Sequence, residues 1–269
     1  MKCCICGPVK NCGPYLNRVL SNVEKIGALF EDYQIILFYD HSTDDTLLKL
    51  KQYQKKNHKL LFFINKKQIS LFRTHNIAFA RNHCIDKVRE KYSDYPFFIM
   101  MDFDDVNCKN VQPEILKKYL NRDDWDALSF NTVPKYYDIW GLSIYPYSFS
   151  YNHFKNNQSY YNFLQNYVDN KLKKLPEGDL LSCLSSFNGF AIYRTEKFLN
   201  CYYDGKIRMD LIPKRLIDIH SFVTQSPVIY KRYQTVDGRF EDCEHRAFHM
   251  QGIFKNGAKI RISPEVLFY

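Results

Sequence analysis

Four short apolar runs mark the first half of the chain, each followed by a polar turn and then a segment with helical spacing. The runs are "KCCIC" at 2–6, "YQIILFYD" ending at Asp40, "KLLFFIN" at 59–65 and "YPFFIMMD" ending at Asp102. Short apolar runs bounded by turn residues predict buried strands. Between the first two, Leu16, Val19, Leu20, Val23, Ile26 and Phe30 recur every three or four residues, the spacing of one helical face. "STDDTLLKLKQYQKK" opens with capping residues and continues as a helix. Residues 73–91 predict a third helix. A helix near 113–121 and a strand near 125–131 extend the alternation. Strand and helix in turn predict an α/β fold: a mainly parallel sheet with helices on both faces. Ligands of such sheets bind past the C-terminal strand ends. Asp40, Asp102 and the turn "GPVKN" all fall there.

Residues 133–178 break this rhythm. They are rich in Tyr, Asn and Ser, with a helix predicted near 159–173 and an acceptor-facing surface as one reading of the rest. Trp140 and its neighbouring tyrosines suit either core packing or stacking on a sugar. "SSFNGFAIYRTEKF" predicts a strand and short helix, "SPVIYKRY" a strand, "EDCEHRAFHMQ" a helix, and "AKIRISPEVLFY" a closing strand. No repeat, linker or low-complexity tail divides the 269 residues, so one domain is expected over 1–269, in two halves, 1–131 and 132–269.

Composition narrows the function. With 45% apolar residues, a sizeable core can form. Lys and Arg total 38 against 29 Asp and Glu, a net charge of +9 that suits an anionic partner. The basic residues are scattered, which argues against a nucleic-acid arm. No apolar stretch is long enough to cross a membrane, and the N-terminus does not read as a signal peptide. A reducing compartment is therefore expected, and the nine cysteines do not read as a disulfide framework. Cys3 and Cys6 form a C-x-x-C, but no second pair lies near it. A buried strand using Cys as a small apolar residue accounts for it better than zinc.

The chemistry is concentrated in "FFIMMDFDDV". Asp102, Asp104 and Asp105 follow a buried strand and repel one another, so a cation must offset them. Oxygen ligands at this density suit Mg²⁺ or Mn²⁺ sharing its shell with a phosphate. A second group lies in "RFEDCEHRAFHMQ". On a helix, Asp242, His245 and His249 would share one face, flanked by Glu241 and Glu244. The H-x-x-x-H spacing is not that of a zinc protease, since Arg246 stands where the glutamate is required.

Four segments together resemble the family-2 glycosyltransferases. They are "GPVKNCGPYLNRVLSNV", "DHSTDDT", "AFARNHCID" and "FFIMMDFDDV", in the family's order, within residues 2–131. His41 and the pair Asp44–Asp45 depart from the usual residues of the second segment. The resemblance implies a GT-A fold, with a nucleotide-sugar half and a variable acceptor half. It implies that Pro8 and the backbone around Val9 line the base and ribose, and that Asp40 accepts a hydrogen bond from the base. Arg81 would lie near the nucleotide or its phosphates, braced by Asn82, and Arg73 is placed to help. Asp102 would contact ribose or metal, Asp104 would bind the metal, and Asp105 would support it. Glu241–Asp242 resembles the pair that supplies the general base, so Asp242 is the expected base and Glu244 the reserve. His245 or His249 would add a metal ligand. Asn188 would contact the sugar, and Gly189 would allow close backbone approach.

The expected activity is transfer of a sugar from a nucleoside diphosphate sugar, UDP-linked in the first instance, to a hydroxyl on protein, glycan or lipid. Mn²⁺ or Mg²⁺ is the expected cofactor, and inverting chemistry follows from Asp242. A cytoplasmic enzyme of bacterial or viral origin is the accompanying expectation. Two alternatives stand beside it. A sugar-nucleotide pyrophosphorylase would carry an Arg in the first glycine loop, and "CGPVKNCGPY" has none. A non-catalytic glycan- or nucleic-acid-binding module would not need Asp102, Asp104 and Asp242 together.

Overall fold

The computed structural model describes residues 1–149, 157–206, 208–225 and 241–269. Eight strands form one sheet: β1 (Lys2–Val9), β2 (Asp32–Tyr39), β3 (Leu60–Ile64), β4 (Phe97–Met101), β5 (Ala127–Asn131), β6 (Leu181–Cys183), β7 (Phe190–Arg194) and β8 (Ile260–Val266). Their spatial order is β3-β2-β1-β4-β7-β5-β8-β6. The first four are mutually parallel. They are joined by α1 (Gly13–Gly27), α2 (Thr46–Lys56) and α3 (Arg73–Lys91). Strand β7 then enters antiparallel between β4 and β5, and β8 pairs parallel with β5. The sheet is therefore mixed, and the second half of the chain is built into the same layer as the first.

Burial on both faces explains the apolar runs. Cys3 and Ile5 of β1 pack into the core layer beneath α1, while Cys4 and Cys6 pack into the layer on the opposite face. Successive strand residues alternate faces, so Cys3 and Cys6 point apart and cannot share a metal. All nine cysteines are free thiols. In α1, Leu16, Val19, Leu20, Val23 and Ile26 are buried on one face, as their spacing predicts.

The remaining helices are α4 (Pro113–Tyr119), α5 (Asn157–Lys173), α6 (Thr195–Phe198), α7 (Lys214–Thr224) and α8 (Glu244–Asn256). Strand β6 and helix α7 were not anticipated from the sequence. The strand expected at 226–233 lies outside the described residues. Helix α8 begins at Glu244, with Cys243 extended at φ −65°, ψ 124°. Asp242 therefore precedes the helix and does not share a helical face with His245 and His249.

Candidate active site

The turns beyond β1 and β2 are locked to one another by their own polar residues. The "DHSTDDT" loop grips the start of α1. Asp44 Oδ2 accepts the Gly13 N–H at 2.8 Å, Thr46 Oγ1 accepts the Cys12 N–H at 2.9 Å, and Ser42 Oγ accepts the Asn11 N–H at 2.9 Å. Asn11 returns the contact by accepting the Thr43 N–H. Asp40 is thereby fixed at the mouth of β2. Its carboxylate receives Lys10 Nζ at 2.8 Å, Asn65 Nδ2 at 3.1 Å and the His41 N–H at 2.9 Å.

Three cavities with shared lining residues adjoin these strand ends. The first, about 440 Å³, is lined by Pro8, Lys10, Asp40, Arg73, Asp102 and Asp104, among others. The second, about 230 Å³, contains Arg73, Arg81, Asp102, Asp138, Trp140, Glu244 and His245. The two share Arg73, Ile77 and Asp102. The third, about 380 Å³, adjoins the second through Tyr137 and Tyr161 and carries Asp105, Lys109 and Lys135.

The three carboxylates after β4 have three different settings. Asp102 is partly buried and receives Arg81 Nη2 at 2.9 Å. Asp105 is exposed and faces the third cavity. Among the described residues, Asp104 has no cation within salt-bridge distance. Burial first, then repulsion from Asp102, pushes its carboxyl up to about 7. Arg81 thus offsets the charge of Asp102.

Arg81 is almost fully buried and lies between two acids. Its Nε donates to Glu244 at 3.0 Å while Nη2 holds Asp102, and its plane lies over the Phe187 ring at 4.5 Å. Asn82 exchanges two hydrogen bonds of 2.8 Å with the backbone of Tyr203. The "ARN" segment therefore joins the two halves of the chain. Arg73, in the first turn of α3, has no acidic partner among the described residues and lies where the first two cavities meet.

The other expected site residues have settings of their own. Asp242 is 3% exposed and spends its carboxylate on Arg246 Nε at 2.9 Å and the Cys243 N–H at 2.8 Å. It lines none of the three cavities; Glu244 lines the second. Arg246 also donates to the Leu142 and Trp140 carbonyls and to Ser143, holding the loop beneath Trp140. Both ring nitrogens of His249 face hydroxyls, Ser185 at 3.0 Å and Tyr193 at 3.1 Å, in the aromatic core. His245 stacks on Phe187 at 3.8 Å, with Nε2 3.5 Å from Glu244. Among the described residues, no three His, Cys, Asp or Glu side chains gather as a metal cage. Val9 is buried and acts through its carbonyl, which accepts the Asp40 N–H at 2.9 Å.

Asn188 and Gly189 serve as scaffold. Asn188, at φ 57°, accepts the Tyr137 and Asp138 N–H groups at 3.0 and 2.9 Å and donates to the Phe130 carbonyl. The Gly189 carbonyl accepts the Asp102 N–H at 2.9 Å. Gly189 has φ 82°, and a Cβ there would meet Val106 at 2.8 Å, so both backbone and space require glycine. Asn188 thus fixes Asp138, a cavity carboxylate that no motif announces. Burial raises the Asp138 carboxyl, and repulsion from Asp102 adds to the rise against hydrogen bonds that oppose it. Its Oδ1 accepts the Gly141 N–H at 2.9 Å.

Comparison with known proteins bears on the fold. Among solved structures, S. aureus TarS 1-349 aligns over 100% of this chain and 60% of its own, with 14% identity and a TM-score of 0.51. The same protein in complex with UDP-GlcNAc aligns over 100% and 58%, with 14% identity and a TM-score of 0.50. At this identity the likeness is one of fold, and the chain spans about 60% of the length of that fragment. No curated protein sequence matches the chain. The profile described as Glycosyl transferase family 2 matches residues 4–186, more than half of the sequence. The chain belongs to glycosyl transferase family 2.

Proposed function

We propose that the chain transfers a sugar from a UDP-sugar to an acceptor hydroxyl with the aid of a divalent cation, in an inverting reaction. One observation carries this reading. Pro8, Asp40, Asp102 and Asp104 line one cavity, which opens past Arg73 and Asp102 into a second cavity rich in carboxylates. The first cavity suits the nucleotide, with Asp40 at the base end. The fold shared with TarS, which was crystallised with UDP-GlcNAc, supports the choice of nucleotide.

The residues fit a cation. Asp104 is an oxygen donor without a charge partner among the described residues, and Asp102 lies beside it in the same cavity. Mg²⁺ and Mn²⁺ are commonly held by one or two carboxylates plus substrate phosphates. Asp104 would hold the ion with Asp102 beside it, and the bound ion would supply charge neutralisation to the departing diphosphate. Arg73 adds a guanidinium fork at the same junction, suited to phosphate oxygens. Arg81, engaged by Asp102 and Glu244, orients those two acids and leaves phosphate binding to Arg73.

Asp138 suits the role of general base better than the expected Asp242. A general base must reach the acceptor hydroxyl and remain basic enough to take its proton. Asp242 is held by Arg246 outside the cavities. Glu244 is held by Arg81. Asp138 faces the second cavity with no paired cation among the described residues and with a raised pKa, so Asp138 is the proposed proton acceptor and Glu244 its neighbour. The hydroxyl would approach from the third cavity, past Tyr137 and Tyr161.

The test is a screen of nucleotide sugars for hydrolysis and transfer with Mn²⁺, comparing wild type with Asp104→Ala and Asp138→Asn. The reading requires turnover of at least one UDP-sugar by wild type and its loss in both variants. Turnover that is indifferent to Asp104→Ala would sink it.

A further inference from the structure

Two buried asparagines clamp the loop that carries the acids. Phe103 is buried in the core layer beneath α1, and Asp102 and Asp104 on either side of it line the first cavity. Asn107 follows in a short 3₁₀ turn, Val106–Cys108. Its Nδ2 donates to the Asp102 carbonyl at 2.8 Å and to the Gly189 carbonyl at 2.6 Å. Asn22, on the buried face of α1, donates from Nδ2 to the carbonyls of Asn107 at 2.9 Å and Lys109 at 2.6 Å. The segment 102–109 is thereby fixed at one end to the start of β7 and at the other to α1. The start of the same helix is gripped by Asp44 and Thr46. One helix therefore joins the loop beside Asp40 to the loop that bears Asp104.

Packing alone does not account for Asn107. It is 1% exposed, and its Oδ1 is buried with no hydrogen bond among the described residues. An apolar side chain of similar size would fill the space without an unpaired oxygen. What the amide supplies is two N–H donors on one uncharged nitrogen, directed at two carbonyls that are distant in sequence.

The clamp opposes a repulsion. Asp102 and Asp104 are like charges at one cavity, and a free loop would let them separate. A cation site binds well when its oxygen donors are already held in place. Resting on the cation reading above, we infer that Asn107 is a positioning residue for the divalent ion. By tying the Asp102 carbonyl to that of Gly189, it keeps Asp104 beside Asp102, and Asn22 supports it from α1.

The experiment measures Mn²⁺ binding directly, from the electron paramagnetic resonance signal of the free ion, in the full chain with saturating UDP. UDP affinity in EDTA is measured alongside by calorimetry. Wild type, Asn107→Ala, Asn22→Ala and Asp104→Asn are compared. Asn107→Ala should weaken Mn²⁺ binding about tenfold or more, the scale of losing a group that orients a metal ligand, and leave UDP affinity in EDTA unchanged. Asn22→Ala should act in the same direction by about threefold, and it decides the matter where Asn107→Ala does not fold. Mn²⁺ affinity unmoved by Asn107→Ala, or by Asn22→Ala in its place, overturns the inference. Equal losses of Mn²⁺ and UDP affinity also overturn it, since the clamp would then be structural alone. Mn²⁺ binding unmoved by Asp104→Asn instead removes the cation reading on which it rests.

Discussion

Glu241 accepts both the backbone N–H of Thr74, at 2.9 Å, and its hydroxyl, at 2.8 Å, across 167 residues of sequence. Thr74 lies in the first turn of α3, where backbone N–H groups lack helical partners and a carboxylate is favoured. The same turn carries Arg73. Gly205 completes the knot: its carbonyl accepts the Thr74 hydroxyl and the Asp242 N–H, and a Cβ there would meet the Thr74 backbone at 2.6 Å.

Glu241→Ala should therefore weaken UDP binding through Arg73 and not only lower stability. Losing the cap costs about 1–2 kcal/mol. A double-mutant cycle with Arg73→Ala should show coupling of about 1 kcal/mol or more in the UDP dissociation constant. Strict additivity would show that the knot is structural alone. Gly205→Ala should destabilise by about 1–3 kcal/mol, since the α3 backbone must yield.

Removal of Arg81 leaves Asp102 and Glu244 facing each other without their shared cation. Arg81→Ala should cost about 3–5 kcal/mol of unfolding free energy, the range for breaking a buried ion pair from one side. Arg81→Lys should recover only part of this, because a lysine cannot present two directed donors in one plane. Denaturant unfolding of the three proteins measures both effects.

Asp104→Asn should abolish the portion of the UDP thermal shift that depends on Mn²⁺. The corresponding loss in affinity should be about tenfold or more, roughly 1.4 kcal/mol. A variant that retains the full Mn²⁺-dependent shift would place the ion elsewhere.

Acid should expose the two core histidines. Burial and then Arg246 push His249 down to about 3, and His245 is held well below its usual value. Both stay neutral in the folded chain, whereas the unfolded chain protonates them near the ordinary value of about 6.5. Their contribution to stability is present above that pH and falls as pH drops below it, by about 1.4 kcal/mol per pH unit for each ring. His249→Gln keeps hydrogen-bonding atoms near Ser185 and Tyr193 without the titration. Its unfolding free energy should fall less steeply between pH 6.5 and 5 than that of wild type, and equal slopes would refute the assignment.

The sequence was legible where physics acts locally. β1, β2, β3 and β4 are buried runs, and α3 extends over Arg73–Lys91 as its pattern predicts. Pro8, Asp40, Asp102 and Asp104 share a cavity because strand ends place them there. Tertiary geometry decided the rest. Two residues of helix start moved Asp242 off the expected face. A positive φ turned Asn188 inward to hold a loop. Asp138 lies in an irregular segment whose position depends on that distant asparagine, so no spacing rule finds it.

The entry of β7 beside β4 bears on how the molecule is made. Synthesis runs from the N-terminus, so the four parallel strands leave the ribosome before their inner edge has a neighbour. Asp102 waits for Gly189, and Arg81 waits for Glu244, before either is set. A nascent chain stalled after β5 would carry Asp40, Asp102 and Asp104 and yet an unfinished sheet edge, open to chaperones or to misplaced strands.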